Sequence, residues 1–254
     1  MKVLFVAWQD PVDRHWRPVG RLSFAGNQFT FVYTKGAKTA ENFVPFGRMS
    51  NLDDVYISRE LFPFFSNRLL SKSRPEYKEY LEWLNIPVGK DDPLALLART
   101  GGIRGTDSIL IFPCPEPSPD GKYFVHFFSQ GLRYLPENAL ASVGSLQPGT
   151  QLFLLLDVQN EVDELAIVLR TDKPPIFVGY VPRYFAADFR SLLFSSSRKS
   201  VKVLVERVNH SAPVQLRLLC SISADWPKDF DPCSSDLFEP LAPLSESVCL
   251  EGKS

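Results

Sequence analysis

The 254-residue chain is long enough for one large or two small domains, each with a buried core. Its 28 basic and 29 acidic residues nearly cancel, so no whole-chain charge marks a nucleic-acid or membrane-surface protein. A hydrophobic content of 44% suits a globular protein, and the absence of any apolar run of about 18 residues excludes a membrane-spanning helix and implies a cytoplasmic location. The charge is unevenly spread: residues 1–120 carry a net +1, residues 121–226 a net +2 and residues 227–254 a net −4. Cys114, Cys220, Cys233 and Cys249 lie far apart, and His15, His126 and His210 do not complete a metal-ligand spacing. The expectation is free thiols in a reducing compartment, with no metal and no cofactor.

In chain order, the apolar opening Lys2 to Trp8 reads as a strand. Residues 19–33 read as a hairpin: Leu22 and Phe24 alternate with polar neighbours, and Phe29, Phe31 and Tyr33 do so after Gly26-Asn27. Glycine in the first turn position predicts a type II′ turn. Residues 75–84 read as a helix with Tyr77, Tyr80, Leu81 and Leu84 on one face. A second helix starts at Asp92-Pro93, with Asp92 as N-cap, and ends near Thr100-Gly101-Gly102. Ser108 to Pro113 is then a buried strand.

This order, and the blocks Val19-Gly20-Arg21-Leu22, Phe29 to Tyr33, Leu61 to Leu70, Asp92 to Leu97 and Gly101 to Thr106, resemble the N-terminal subdomain of HipA-type Ser/Thr kinases over roughly residues 1–115. The segment Phe43 to Tyr56 departs from that pattern. The kinase core that follows this subdomain in the family is missing here. No P-loop, GxSxG, HExxH or paired-cysteine zinc motif is present. Thr100 to Gly105 is glycine-rich but is better explained as a helix C-cap. Cys220 lies in an apolar strand without a nearby histidine. The expectation is a non-enzymatic protein with no catalytic residues.

Pro113, Pro115, Pro117 and Pro119 then predict a stiff linker. Beyond it the pattern is a strand from Phe124 continuing to Tyr134, a loop ending at Pro148-Gly149, and a strand over Gln151 to Leu156. An acidic turn with Asp157, Gln159, Asn160 and Asp163 follows, then strands over Leu165 to Leu169 and Ile176 to Tyr180. A helix from Pro182 carries Tyr184, Phe185, Phe189, Leu192 and Leu193, and strands over Val201 to Val208 and Val214 to Ile222 close the set. Many short strands around one helix suit a compact barrel. The segment Asp157 to Arg183, with Gly131-Leu132-Arg133-Tyr134 upstream, resembles the HIRAN domain, a small all-β module that binds single-stranded DNA at a free 3′ end.

That resemblance implies a DNA-binding set of Arg133, Tyr134, Asn160, Asp163, Tyr180 and Arg183. Arginines would meet phosphate and tyrosines would stack on bases. A carboxylate at Asp163 accepts a hydrogen bond from a 3′-hydroxyl and repels a 3′-phosphate. Read without the resemblance, Tyr134 is strand packing, the arginines are solvated charges and Asp163 caps its own turn. Val162, Glu161 and Leu156 depart from the family pattern, which has an aromatic, a proline and a polar residue there.

The expected fold class is α+β. It consists of a HipA-N-like β-hairpin/helix subdomain over 1–115, a Pro-rich linker over 116–121, a small mostly-β HIRAN barrel with one helix over 122–226, and an acidic disordered tail over 227–254. Within the tail, Leu237-Phe238-Glu239-Pro240-Leu241 reads either as a solubilising stretch or as a short partner-binding motif. The two resemblances together imply a non-catalytic toxin–antitoxin or defence component. It would hold a HipA-like kinase core protein through residues 1–115, and single-stranded DNA or a DNA 3′ end through residues 122–226. The alternative is a DNA 3′-end module for repair or replication with no kinase partner.

Overall fold

The computed structural model describes residues 2–195 and 200–243. By contact it divides into two compact units: residues 2–77, 89–114 and 233–243 form the first, and Lys78–Val88 with the described part of Pro115–Pro232 form the second. The linear reading instead places residues 78–88 in the N-terminal subdomain and residues 227–254 in a free tail.

The first unit is built on β1 (Lys2–Gln9), β2 (Trp16–Ala25), β3 (Gln28–Tyr33), α1 (Lys35–Thr39), β4 (Tyr56–Ser58) and α2 (Pro63–Ser66). Helix α3 (Tyr77–Trp83) leads out of it, and α4 (Pro93–Thr100) and β5 (Ile109–Pro113) return to it. The strands form one antiparallel sheet in the order β4-β3-β2-β1-β5. Alternation along them puts Leu4, Val6, Leu22, Phe31 and Ile111 in a core with Phe65, Leu94 and Leu97. The hairpin turn has positive φ at both Gly26 (55°) and Asn27 (61°), so it is type I′ rather than the expected II′. Asparagine tolerates the left-handed region that the second position requires. The helix at Pro93 starts as expected, with the Asp92 carboxylate accepting from the Ala95 N–H at 3.0 Å, and ends on left-handed Gly101.

The Phe43–Tyr56 segment is organised by one buried hydroxyl. Tyr33 Oη donates to the Met49 carbonyl and accepts from the Phe46 N–H, each at 2.6 Å. Burial pushes that phenol up to about 12.

Residues 227–243 do not form the expected disordered tail. The segment from Cys233 lies on the first unit. Phe238 packs edge-on against Phe5 at 4.8 Å, Lys35 N–H donates to the Glu239 carbonyl and Leu241 N–H to the Tyr33 carbonyl. Thr34 and Pro240 form a β-bridge, and Lys35 and Glu239 pair as ions. A Cβ on Gly36 would stand 2.0 Å from the Pro18 carbonyl oxygen and 3.3 Å from that of Leu237, so glycine permits this approach. The remainder of the predicted tail, residues 244–254, lies outside the described residues.

The second unit comprises β6 (Lys122–Phe128), α5 (Glu137–Ser145), β7 (Gln151–Leu156), β8 (Ile167–Arg170) and β9 (Phe177–Tyr180). It continues with α6 (Arg183–Ser195), β10 (Lys202–Val208) and β11 (Leu218–Asp225). The sheet order is β6-β11-β10-β7-β8-β9. Inward residues such as Tyr123, Phe127, Ile167, Leu169, Val203 and Cys220 meet Phe185, Phe189 and Leu192 of α6. Burial pushes the Cys220 thiol far up. Among the described residues of 122–226, two α-helices, α5 and α6, are present where one is expected. The sequence of α5 hides it: asparagine, glycine and two serines are weak helix formers, and only Ala139 and Val143 are fully buried.

The predicted strand to Tyr134 stops at Phe128, because left-handed Gly131 opens a 3-10 turn over Leu132–Tyr134. The Pro-rich segment ends in a turn in which Ser118 bonds Lys122, rather than continuing as an extended spacer. Residues 78–88 join this unit through Asn209 Nδ2, which donates to the Trp83 carbonyl at 2.9 Å, and through Ser211, which accepts from Trp83 Nε1 and donates to Glu79. Among the described residues no helix is long and apolar enough to cross a membrane.

Candidate functional site

The sheet of the second unit curls until its two edges meet at one residue pair. Gln130, two residues beyond β6, and Tyr180 at the end of β9 exchange both backbone hydrogen bonds, at 2.8 and 2.9 Å. The site is built around this closure.

Gly179 makes the closure possible. Val168 of β8 faces Tyr180 and Arg170 faces Phe177, so β9 carries one extra residue between the pairs. That bulge lies at Gly179, whose φ is +107°. A Cβ there would fall 2.1 Å from Ser129 Oγ and 2.6 Å from the Gln130 carbonyl oxygen. The bulge reverses the alternation: Val178 and Val181 both enter the core, and Tyr180 is turned to the outer face. Its ring lies close to Gly131, where a Cβ would stand 3.1 Å from Tyr180 Cδ2.

From Tyr180 a chain of hydrogen bonds runs through the acidic turn. Tyr180 Oη donates to Asp157 Oδ2 at 3.0 Å, and Asn160 Nδ2 donates to the same oxygen at 3.0 Å. Asn160 Oδ1 accepts the N–H groups of Val162 and Asp163. Asp163 Oδ1 accepts the Leu165 N–H, and its Oδ2 accepts from Arg183 Nε at 2.9 Å. Arg183 Nη2 also donates to the Val162 carbonyl at 2.7 Å. Burial, and then the bond to Asp157, hold the Tyr180 phenol above its ordinary value.

Four of the six residues singled out from sequence, Asn160, Asp163, Tyr180 and Arg183, therefore belong to one network. Arg133 and Tyr134 sit on the turn that Gly131 opens, against Tyr180. Tyr134 is not strand packing: its side chain is 75% exposed, and the Arg133 guanidinium lies 4.6 Å from the centre of its ring. Asp163 does cap its own turn, and it pairs with Arg183 as well. In the sequence Arg198, Lys199 and Lys202 form a basic cluster that reads as a polar loop or a phosphate patch, and its Arg198-Lys199 part lies outside the described residues.

The sequence reading missed Asp157 as the junction between tyrosine and turn. Its only signal was parity: it continues the outward positions 153 and 155 of β7. Gln130, Gly131 and Gly179 were missed as the closure. Chemically, the site offers one exposed ring, one half-buried phenol, two guanidinium groups and an acidic turn already stiffened by its own bonds. Among the described residues no group of three or more His, Cys, Asp or Glu side chains is placed to hold a metal ion.

A curled six-stranded sheet, closed at one pair beside a tyrosine–carboxylate–arginine network, defines the second unit as a small β-module with its site at the seam. Residues 122–227 match the family model of the HIRAN domain, and the second unit carries that domain. A crystal structure of a Lactobacillus plantarum protein is 19% identical, covering 41% of this chain and 97% of that one, with a TM-score of 0.31. The crystal structure of the HIRAN domain of human HLTF is 15% identical, covering 42% of this chain and 81% of that one, with a TM-score of 0.30. No curated protein matches the chain. The family match does not extend to residues 1–121.

Proposed function

We propose that the HIRAN domain binds single-stranded DNA at a free 3′ end, on the surface formed by the Gly131–Tyr134 turn, Tyr180 and the acidic turn. The observation that carries this is the family match over 122–227 together with the convergence of the six candidate residues at the sheet closure. Tyr134 offers an exposed face to a base, and Arg133 and Arg183 offer N–H groups to phosphate. Asp163 and Asn160 receive the terminal hydroxyl. Each Asp163 oxygen has a second lone pair beyond the bond it already accepts. Asp157, Glu161, Asp163 and Glu164 concentrate negative charge on one turn, so a terminal phosphate is disfavoured.

The test is fluorescence anisotropy with oligothymidines that end in 3′-hydroxyl or 3′-phosphate, at low and moderate salt. The expected result is tighter binding of the hydroxyl form, and a loss of roughly tenfold or more in Tyr134→Ala, equivalent to about 1–3 kcal/mol per stacked base. Indifference to the terminus, or no binding at low salt, refutes the reading.

A broader reading makes the protein a non-catalytic member of a toxin–antitoxin or defence system whose N-terminal unit grips a HipA-like kinase. Its support is the resemblance of residues 1–115 alone. The blocks carrying that resemblance, Leu61 to Leu70 and Asp92 to Leu97, are largely core and capping residues here, so they bear on fold more than on a partner. Co-purification with a HipA-like kinase core, absent when residues 1–115 are exchanged, is the result this reading requires.

A further inference from the structure

We infer that the outer face of β7, β8 and β9 is a second nucleic-acid subsite, in which Phe153, Arg170 and Phe177 hold a nucleotide on the 5′ side of the one at the closure. This inference rests on the proposed 3′-end site and deepens it.

The register places the three residues side by side. Phe153 of β7 faces Arg170 of β8, and Arg170 faces Phe177 of β9. Their neighbours Leu152, Leu169 and Val178 point into the core, so this row points away from it. The row is an arginine between two phenylalanines: the guanidinium lies 5.2 Å from the centre of the Phe153 ring, and Phe177 is 52% exposed. Burial does not explain so exposed a ring on a sheet face. A cation between a half-buried ring, Phe153, and an exposed one, Phe177, offers a single strand both a face for a base and N–H groups for a phosphate.

Continuity with the closure identifies the occupant. The next row on the same face is Leu155, Val168 and Tyr180. Tyr180 is the residue whose hydroxyl reaches Asp157 at the end site. Two residues along a strand separate the rows, about 7 Å, or about twice the 3.4 Å stacked spacing of one DNA strand. A strand whose 3′ terminus lies at the acidic turn therefore reaches the Arg170 row within a few nucleotides. The bulge at Gly179 is what brings Tyr180 onto the same face as Phe177. Arg170 Nη1 donates to the Thr171 carbonyl at 2.8 Å, which steadies the guanidinium and leaves its other N–H groups for phosphate.

The experiment titrates the full chain with labelled oligothymidines of two nucleotides, too short to reach the Arg170 row at that spacing, and of eight nucleotides, both with free 3′-hydroxyls. In the unaltered protein the longer strand should bind about tenfold tighter. Phe177→Leu, which keeps apolar bulk but removes the ring, and Arg170→Gln should each erase most of that gain while leaving the two-nucleotide affinity within twofold. Thermal unfolding checks that both variants are folded. Equal binding of the two lengths overturns the second subsite and leaves the end site standing. A variant that weakens both lengths equally also overturns it. If neither strand binds, the end site and this extension fall together.

Discussion

In the N-terminal unit Phe31, Tyr33, Phe46, Phe64 and Phe65 meet ring to ring, with Phe46 and Phe64 stacked at 4.1 Å and Phe65 fully buried against both Phe31 and Phe64. Even its cation over a ring is sequestered: Arg68, lying over Phe64, also pairs with Asp107 and bonds the Gly102 carbonyl. In the HIRAN domain the rings are divided. Tyr123, Phe127, Phe185 and Phe189 fill the core, while Tyr134 and Phe177 stand in solvent, one under Arg133 and the other beside Arg170. Aromatic content thus does not locate a ligand surface. The proposed DNA surface rests instead on exposed rings with an arginine beside them, where stacking and phosphate contact are both available.

Substitutions can break or sharpen this contrast. The largest effect is expected from Phe65→Ala, which should destabilise the N-terminal unit by about 3–5 kcal/mol. Calorimetry should show that unit's transition lowered with DNA affinity retained; loss of DNA binding in step would break the contrast. Gly179→Ala should cost the HIRAN domain about 3 kcal/mol, since a β-carbon meets Ser129 and Gln130 at a positive φ. It should also remove the closure, so DNA binding falls with stability.

Asp188 of α6 makes a smaller, pH-dependent contribution. Burial raises its carboxyl to about 6, against a hydrogen bond from Tyr123 Oη at 3.2 Å that lowers it. The folded state therefore holds this proton where the unfolded chain has lost it. Stability from this group is highest below about pH 4 and falls as pH rises to about 6. Asp188→Asn should remove that slope and raise stability at neutral pH by roughly 1–2 kcal/mol, measured by denaturant unfolding across pH; an unchanged slope would assign it to other groups. Tyr134→Ala should change stability least, by no more than about 0.5 kcal/mol, while weakening DNA binding. A large stability loss would make Tyr134 a packing residue and blur the contrast.

The strands and the capped helix at Asp92 were legible because each rests on local chemistry, alternation and an N-cap with glycine at the left-handed end, whereas the candidate site segments were singled out only through their resemblance to the HIRAN domain. What escaped depends on pairing between distant residues. Asp157 becomes the partner of Tyr180 only when β7 and β9 are both aligned with β8. The end of β6 depends on Gly131 packing under Tyr180. The segment Leu237–Leu241 was obscured by composition: Asp236 and Glu239 make it look soluble, yet Phe238 and Leu241 pack onto the first unit and Ala242 is buried there.

That returning segment has a consequence for how the protein is made. Chains emerge from the ribosome N-terminus first, and domains generally fold as units. The HIRAN domain is complete once Pro232 has emerged, but the N-terminal unit still lacks the residues that cover Phe5 and pair with Tyr33 and Thr34. Of the two units, the one translated earlier is therefore the one finished later, and Phe5 waits for Phe238 through the synthesis of more than two hundred residues.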